Sequence, residues 1–83
     1  SQMNYPTLSV EDTGKRIRTL RKENNLTVAE VTNFMGFEHP QAVYKWERGD
    51  SIPSVDNLYA LSKLLNTTID DILVERSECI FFP

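Results

Sequence analysis

Apolar side chains recur every three or four positions over most of this chain, in five short runs that each follow a residue suited to begin a helix. A period near 3.6 residues with a capping residue in front of it is typical of amphipathic α-helices. Sustained alternation of apolar and polar residues, the mark of a strand, is confined to a short segment at 79–82. The pattern therefore predicts an all-α domain of five helices.

The first helix is expected to begin after Ser9, which stands three residues before Asp12 as in a capping box, and to end near residue 24 or 25. Gly14 lies beside its apolar stripe, where a missing side chain allows another helix to approach closely. The stripe consists of Val10, Thr13, Ile17 and Leu20.

The second and third helices are short and are separated by a turn that contains glycine. Thr27 begins the second helix, Gly36 ends it, and the third runs from about Pro40 to Arg48 before Gly49. Pro40 is expected at the first helical position. The apolar face of the second helix holds Val28, Val31, Thr32 and Met35; in the third, Val43 and Trp46 face one way and Gln41, Tyr44, Lys45 and Arg48 the other. Two such helices indicate a helix-turn-helix, a DNA-recognition motif.

Two further helices complete the domain. Ser54 is expected to cap the fourth, with a stripe of Val55, Leu58, Leu61, Ser62 and Leu65, and Thr68 to cap the fifth, which holds Ile69, Ile72 and Leu73. We divide the chain into an N-terminal arm (1–8), in which the two residues before Met3 are interpreted as left over from cloning, the helical domain (9–75) and an apolar tail (76–83).

Composition narrows the classes of function. The single cysteine, Cys79, excludes an intrachain disulfide and a Cys-rich zinc site, and His39 has no partner at metal-ligand spacing. We expect neither metal nor cofactor, and no enzyme, because no acid and base pair or phosphate-binding loop is present. No apolar run approaches the roughly 20 residues that span a bilayer, and a cytoplasmic location is expected.

The charge is unevenly distributed. A net charge of -3 counts against binding nucleic acid, but five basic residues lie in the first helix and four acidic residues in the C-terminal part. Two interpretations stay open at this point: one basic side that binds phosphates, or a helix surface that is merely solvated. The basic residues are Lys15, Arg16, Arg18, Arg21 and Lys22.

From Gly14 to Leu73 the chain resembles the lambda-repressor-like, Cro-type helix-turn-helix family of DNA-binding domains. The resemblance rests on the segments 14–18, 20–22, Leu26-Thr27, Met35-Gly36-Phe37, Trp46-Glu47-Arg48-Gly49, Pro53-Ser54 and 70–73. It implies a compact five-helix domain with the helix-turn-helix at helices two and three. It further implies a bacterial or phage transcriptional regulator, by expectation a repressor, that binds a pseudo-palindromic operator on double-stranded DNA as a homodimer.

The chain departs from the family pattern at three places. Val28 stands where the family usually has a glutamine that contacts a phosphate, so one phosphate contact is expected to be missing. The connection between Gly36 and the third helix is one residue longer than usual, and Phe34 replaces a residue that is usually charged.

Candidate site residues follow from the third helix and its surroundings. We expect Gln41, Ala42, Tyr44 and Lys45 to contact bases, since an amide suits adenine and an ammonium suits guanine in the major groove. Phosphate contacts are expected from Lys15, Arg16, Thr27, Arg48 and Ser54. A solvated side chain is the alternative for Gln41, a phosphate contact for Lys45 and scaffold packing for Tyr44. For Ala42 helix formation is the favoured explanation, and capping explains Ser54 almost as well as a phosphate contact does.

A rival hypothesis gives the domain a protein-interaction role, as in an antitoxin-like or adaptor protein. Phe34, Val28 and the tail with Phe81 and Phe82 would then hold a partner. For the tail itself, a homodimer contact and packing back on the domain are both open.

Overall fold

The computed structural model describes residues 5–76 of the chain. It confirms the predicted all-helical fold and five helices: α1 (Val10–Glu23), α2 (Val28–Met35), α3 (Gln41–Arg48), α4 (Val55–Leu64) and α5 (Ile69–Ile72). None of the helices in this range is long and apolar enough to cross a membrane. The apolar tail and the strand-like segment at 79–82 lie outside the described residues.

The helix ends follow the sequence signals. Ser9, Thr27, Ser54 and Thr68 each accept a hydrogen bond from the backbone N–H three residues further on. At Thr27 the capping box is complete, because Glu30 also accepts from the backbone N–H of Thr27. At Ser9 only half of the predicted box forms, since the Ser9 N–H donates to the carbonyl of Val74 instead.

The predicted stripes meet in one core, with two exceptions. Val10, the first residue of α1, is only half-buried and is not among the apolar residues that pack against the core. Val55 was expected on the buried stripe of α4, but it is 74% exposed. It is the first residue of α4, and side chains tilt toward the N-terminus of their helix, so Val55 projects past the layer formed by Leu58. The buried apolar residues are Ile17, Leu20, Val31, Val43, Trp46, Leu58, Leu61, Leu65 and Ile72.

Polar side chains fasten the helices to one another at the edges of this core. The Asn24 amide donates to the carbonyls of Leu20 (2.8 Å) and Leu65 (3.2 Å), which ties the end of α1 to the end of α4. The buried hydroxyl of Thr13 accepts from the backbone N–H of Val74 at 3.0 Å. These bonds hold α1 in place, and α1 in turn supports α3.

The two ends of the described chain are paired through their backbones. Leu8 and Glu75 form an isolated antiparallel bridge, flanked by bonds from the Ser9 N–H to Val74 (2.8 Å) and from the Arg76 N–H to Thr7 (2.7 Å). Residues that we assigned to the arm and to the tail are thereby joined to the helical body.

Candidate nucleic-acid interface

Helix α3 presents one face to the core and the other to solvent, as the sequence predicted. Val43 is fully buried and Trp46 is 4% exposed. Trp46 is therefore a core residue, and Phe37 packs edge-on against it with ring centroids 5.9 Å apart. The opposite face carries four exposed polar side chains, Gln41, Tyr44, Lys45 and Arg48.

Ala42 differs from these four residues. It is half-buried and packs against the core, so little of its methyl group faces outward. Whether it meets a base depends on that exposed edge alone.

The N-terminus of α3 begins one residue later than predicted. Pro40 is the N-cap, with φ at -81° and ψ at 5°, and Gln41 is the first helical residue. Pro40 still contributes to the first turn, because its carbonyl accepts from the Tyr44 N–H at 3.1 Å. The longer connection thus ends in a rigid residue directly before the first predicted base contact.

Close packing against α1 sets the position of α3. A Cβ atom on Gly14 would collide with the backbone carbonyl of Trp46 and would lie 3.0 Å from the carbonyl of Glu47. The glycine that the sequence marked as a point of close approach therefore lies against the last turn of α3. The two backbones come nearer than any other residue at position 14 would permit.

An ion pair between α1 and α3 lies next to this contact. The guanidinium of Arg21 donates to both carboxylate oxygens of Glu47, at 2.6 and 3.1 Å, and to the carbonyl of Leu26 at 2.9 Å. The two side chains are only 12% and 9% exposed. The hydrogen bond with Glu47 raises the pKa of Arg21 above its usual value, although partial burial acts in the opposite direction. Arg21 is thus a brace for α3 and is not available to a phosphate.

The predicted phosphate contacts on α1 point in different directions. Lys15 is exposed, whereas Arg16 donates to the carboxylate (3.0 Å) and the carbonyl (2.9 Å) of Asp71. Hydrogen bonds from Thr67 and then from Arg16 hold the pKa of Asp71 below its usual value. Arg16 therefore faces α5, on the flank of α1 away from Gly14.

Arg18 is the exposed basic residue of α1 that lies beside α3, and it was not among our predicted contacts. It is exposed and lines a groove of about 300 Å³ together with Val28, Tyr44 and Arg48. The signal was present in the sequence: Arg18 stands four residues after Gly14 and hence on the same helix face, which the glycine marks as the face toward α3.

The start of α2 contributes an apolar surface to the groove between these basic residues. Val28, which replaces the usual glutamine, is half-buried, packs against the core and lines the grooves beside Tyr44. The Thr27 hydroxyl accepts from the Glu30 N–H at 3.0 Å, and the Ser54 hydroxyl accepts from the Asn57 N–H at 3.4 Å. Both hydroxyls act as caps here, at helix ends that are suited to anions.

At the other end of α3, Arg48 is paired with Asp50. Its Nη2 and Nε donate to the same carboxylate oxygen of Asp50, at 2.8 and 3.1 Å. Both side chains are more than half exposed. The predicted phosphate contact of Arg48 therefore has a competitor within the protein.

Two other residues that the sequence singled out, His39 and Phe34, are exposed. His39 is exposed, 3.9 Å from the carboxylate of Glu38, and residues 5–76 contain no group of three or more metal-binding side chains. Phe34 is 51% exposed, as the departure from the family pattern suggested.

The comparison with known proteins agrees with the helix-turn-helix geometry. Residues 17–72, more than half of the chain, match the family model described as helix-turn-helix. The HTH-type transcriptional regulator DicA of Escherichia coli K12 is 44% identical over 52 residues, which are 63% of this chain and 38% of DicA. The repressor protein C2 of Salmonella phage P22 is 37% identical over 60 residues, 72% of this chain and 27% of C2. The chain thus matches well under half the length of each relative.

Solved structures show the same architecture. The P22 c2 repressor protein, in complex with a synthetic operator, superposes with a TM-score of 0.67 at 35% identity and covers 72% of this chain and 89% of that one. The restriction-modification controller protein C.AhdI of Aeromonas hydrophila gives a TM-score of 0.68 at 24% identity, with 76% and 94% covered. The second likeness concerns the fold alone.

Proposed function

The chain belongs to the lambda-repressor-like, Cro-type helix-turn-helix family, and from this membership we propose that it is a sequence-specific transcriptional regulator that binds double-stranded DNA. Its action is that of a repressor, exerted in the cytoplasm of a bacterium or of a phage host. The observation that carries the proposal is the exposed polar face of α3, held on a buried apolar face that packs directly on α1.

Base recognition is assigned to the exposed side chains of α3. Gln41, in the first turn, has the amide that pairs with adenine N6 and N7, and Lys45 follows one turn later with an ammonium suited to guanine O6 and N7. Tyr44 contributes its ring edge toward a sugar or a thymine methyl, and Ala42 contributes only its small exposed edge.

Phosphate contacts surround that face and position it on the duplex. Lys15 and Arg18 supply cations from α1, and Arg48 supplies one from the end of α3. The helix N-termini at Thr27 and Ser54 add backbone N–H groups, which favour an anion. Arg18 takes the part that the missing glutamine at position 28 leaves open, because it lines the same groove as Val28.

Two copies are proposed to bind one operator. A helix-turn-helix dimer places its recognition helices about 34 to 36 Å apart, one turn of DNA, on a pseudo-palindromic site. The P22 c2 repressor, a relative at 35% identity whose structure is known in complex with an operator, supports operator binding by this chain. The homodimer is part of the same proposal.

The test is selection from a random duplex pool at about 100 mM salt, followed by sequencing of the retained DNA. We expect an enriched two-fold symmetric motif. Lys45→Ala and Gln41→Ala should each cost about 1 to 3 kcal/mol per half-site and relax the preference at one position of the motif. Lys63→Ala on α4 is the matched control, since it removes the same charge outside α3. Failure to enrich any sequence would overturn the proposal.

One observation favours a second candidate, the holding of a partner protein. Phe34 is 51% exposed on α2, and exposed apolar surface can mark a site of protein interaction. Val28, the other described residue of that hypothesis, packs inward and lies about 120° from Phe34 around α2. If duplex selection fails, capture of a partner protein by the wild type but not by the Phe34→Ala variant would support this role.

A further inference from the structure

Asp50 stands directly after the helix that we propose enters the major groove, and its carboxylate is bound to a residue of that helix. Arg48 lies on the same exposed face of α3 as Gln41 and Lys45. A carboxylate at this place repels the phosphates of any duplex that approaches the face. On its own, this carboxylate would therefore weaken the DNA binding proposed above.

The backbone fixes the carboxylate in this position. Gly49 ends α3 in the left-handed conformation, with φ at +83°, and turns the chain back along the helix. The Asp50 N–H then donates to the carbonyl of Lys45 at 2.9 Å. Because this bond closes the helix end, the Asp50 side chain is presented to Arg48 by the fold and does not depend on a mobile loop.

The strength of the pair is suited to competition with DNA. Both nitrogens of Arg48 bind one carboxylate oxygen, at 2.8 and 3.1 Å, but the side chains are 60% and 52% exposed. Exposed pairs of this kind are weak and are screened by salt. A phosphate held at hydrogen-bond distance, with Arg18 on the same groove, can displace the carboxylate, whereas a distant or water-separated phosphate cannot.

We propose that Asp50 limits the strength of the contact between Arg48 and a phosphate: it keeps Arg48 neutralised in loosely seated complexes and releases it only to a phosphate brought into register by base contacts. This inference rests on the proposed DNA-binding function. In a complex with the wrong sequence, Arg48 and Asp50 together contribute no net charge. In the complex with the operator, Arg48 changes partner and its phosphate contact is added.

The experiment compares two labelled duplexes, the sequence enriched by selection and a scrambled version of equal composition, by fluorescence anisotropy over a range of salt. Asp50→Asn keeps the size of the side chain and removes its charge. We expect the affinity for the selected duplex to rise about two- to five-fold per bound protomer, the range of an exposed ion pair, because the variant no longer has to break that pair. The affinity for the scrambled duplex should rise less, because there Arg48 gains only a loosely held phosphate that could not displace the carboxylate.

The salt dependence gives an independent readout. With Asn at position 50, Arg48 neutralises a phosphate in the scrambled complex also, so the slope of log K against log salt should steepen by about one per protomer. Asp70→Asn on α5 is the matched control, because it changes the net charge equally on an exposed residue that has no ion pair within residues 5–76. In an Arg48→Ala background, the gain from Asp50→Asn should fall to that of Asp70→Asn.

Three outcomes would overturn the inference. Equal gains on the two duplexes would show that the pair of Arg48 and Asp50 is broken or kept in both complexes alike. A gain no larger than that of Asp70→Asn, or one that persists without Arg48, would show a general charge effect. If the wild type binds the selected duplex in each of these cases, the proposed function stands. If no variant binds any duplex even at about 50 mM salt, both proposals fail.

Discussion

At the scale of single residues, the pair of Arg21 and Glu47 is the most consequential contact near the proposed DNA-binding face. Its partners stand 26 residues apart in sequence, and neither charge was distinguishable in advance from the solvated charges around it. In the structure they are almost buried, with short bonds at both carboxylate oxygens. A buried pair of this geometry does little for stability compared with an apolar pair, but it is costly to break.

Glu47→Ala should therefore destabilise the domain by about 2 to 4 kcal/mol, because it leaves the Arg21 guanidinium buried with a single carbonyl partner. Urea unfolding followed by circular dichroism measures the loss. Glu47→Gln retains the shape and one acceptor and should cost clearly less. A loss below about 0.5 kcal/mol for the alanine variant would mean that Arg21 reaches solvent and that the brace is not needed.

At the scale of the elements, the helices and their caps were predictable, whereas contacts between distant elements were not. Ser9, Thr27, Ser54 and Thr68 are local signals, and all four cap the helices that they were expected to begin. Val55 fits the helical period but overhangs the core, which is a property of the packed molecule. Arg16 and Arg18 share a basic segment, and the spacing from Gly14 marks the face on which Arg18 lies without saying which helix packs there.

The contact between α1 and α3 at Gly14 is the element-scale feature most open to test. Gly14→Ala should destabilise the domain by about 1 to 3 kcal/mol, since its methyl group meets the backbone of α3 and cannot be relieved by a side-chain rotation. Thr19→Ala, exposed on the same helix, controls for helix propensity and should change the stability by less than about 0.5 kcal/mol. A Gly14→Ala variant as stable as the wild type would show that the helices separate freely at this point.

At the scale of the whole molecule, the position of the charges matters more for binding DNA than their sum. The net charge of -3 does not describe any one face, and part of the basic set is neutralised internally: Arg16 by Asp71 and Arg21 by Glu47. Lys15, Arg18 and Lys45 are exposed and have no carboxylate within 4 Å among the described residues. The basic residues of α1 therefore divide into those held in internal ion pairs and those exposed to solvent. The sequence alone did not show this division.

This division predicts different salt dependences for two neighbouring arginines. Arg18→Ala should reduce the slope of log K against log salt by about one per protomer and weaken binding to all duplexes alike, as expected for a phosphate contact. Arg16→Ala, which removes the same charge on the α5 side, should leave the slope nearly unchanged. If both variants reduce the slope by the same amount, Arg16 contacts the DNA after all, as we first expected from the sequence.

The antiparallel pairing of Thr7–Ser9 with Val74–Arg76 brings the two ends of the described chain to the same edge of one backbone ladder. Such a ladder is what a β-hairpin turn normally closes, so a two-residue Asn-Gly connection from Arg76 to Thr7 would fit the existing geometry. One short connection would therefore close the described part of the chain into a ring. It should accept cyclisation, or circular permutation with new ends cut in an exposed loop, without rearrangement of the face that α3 presents.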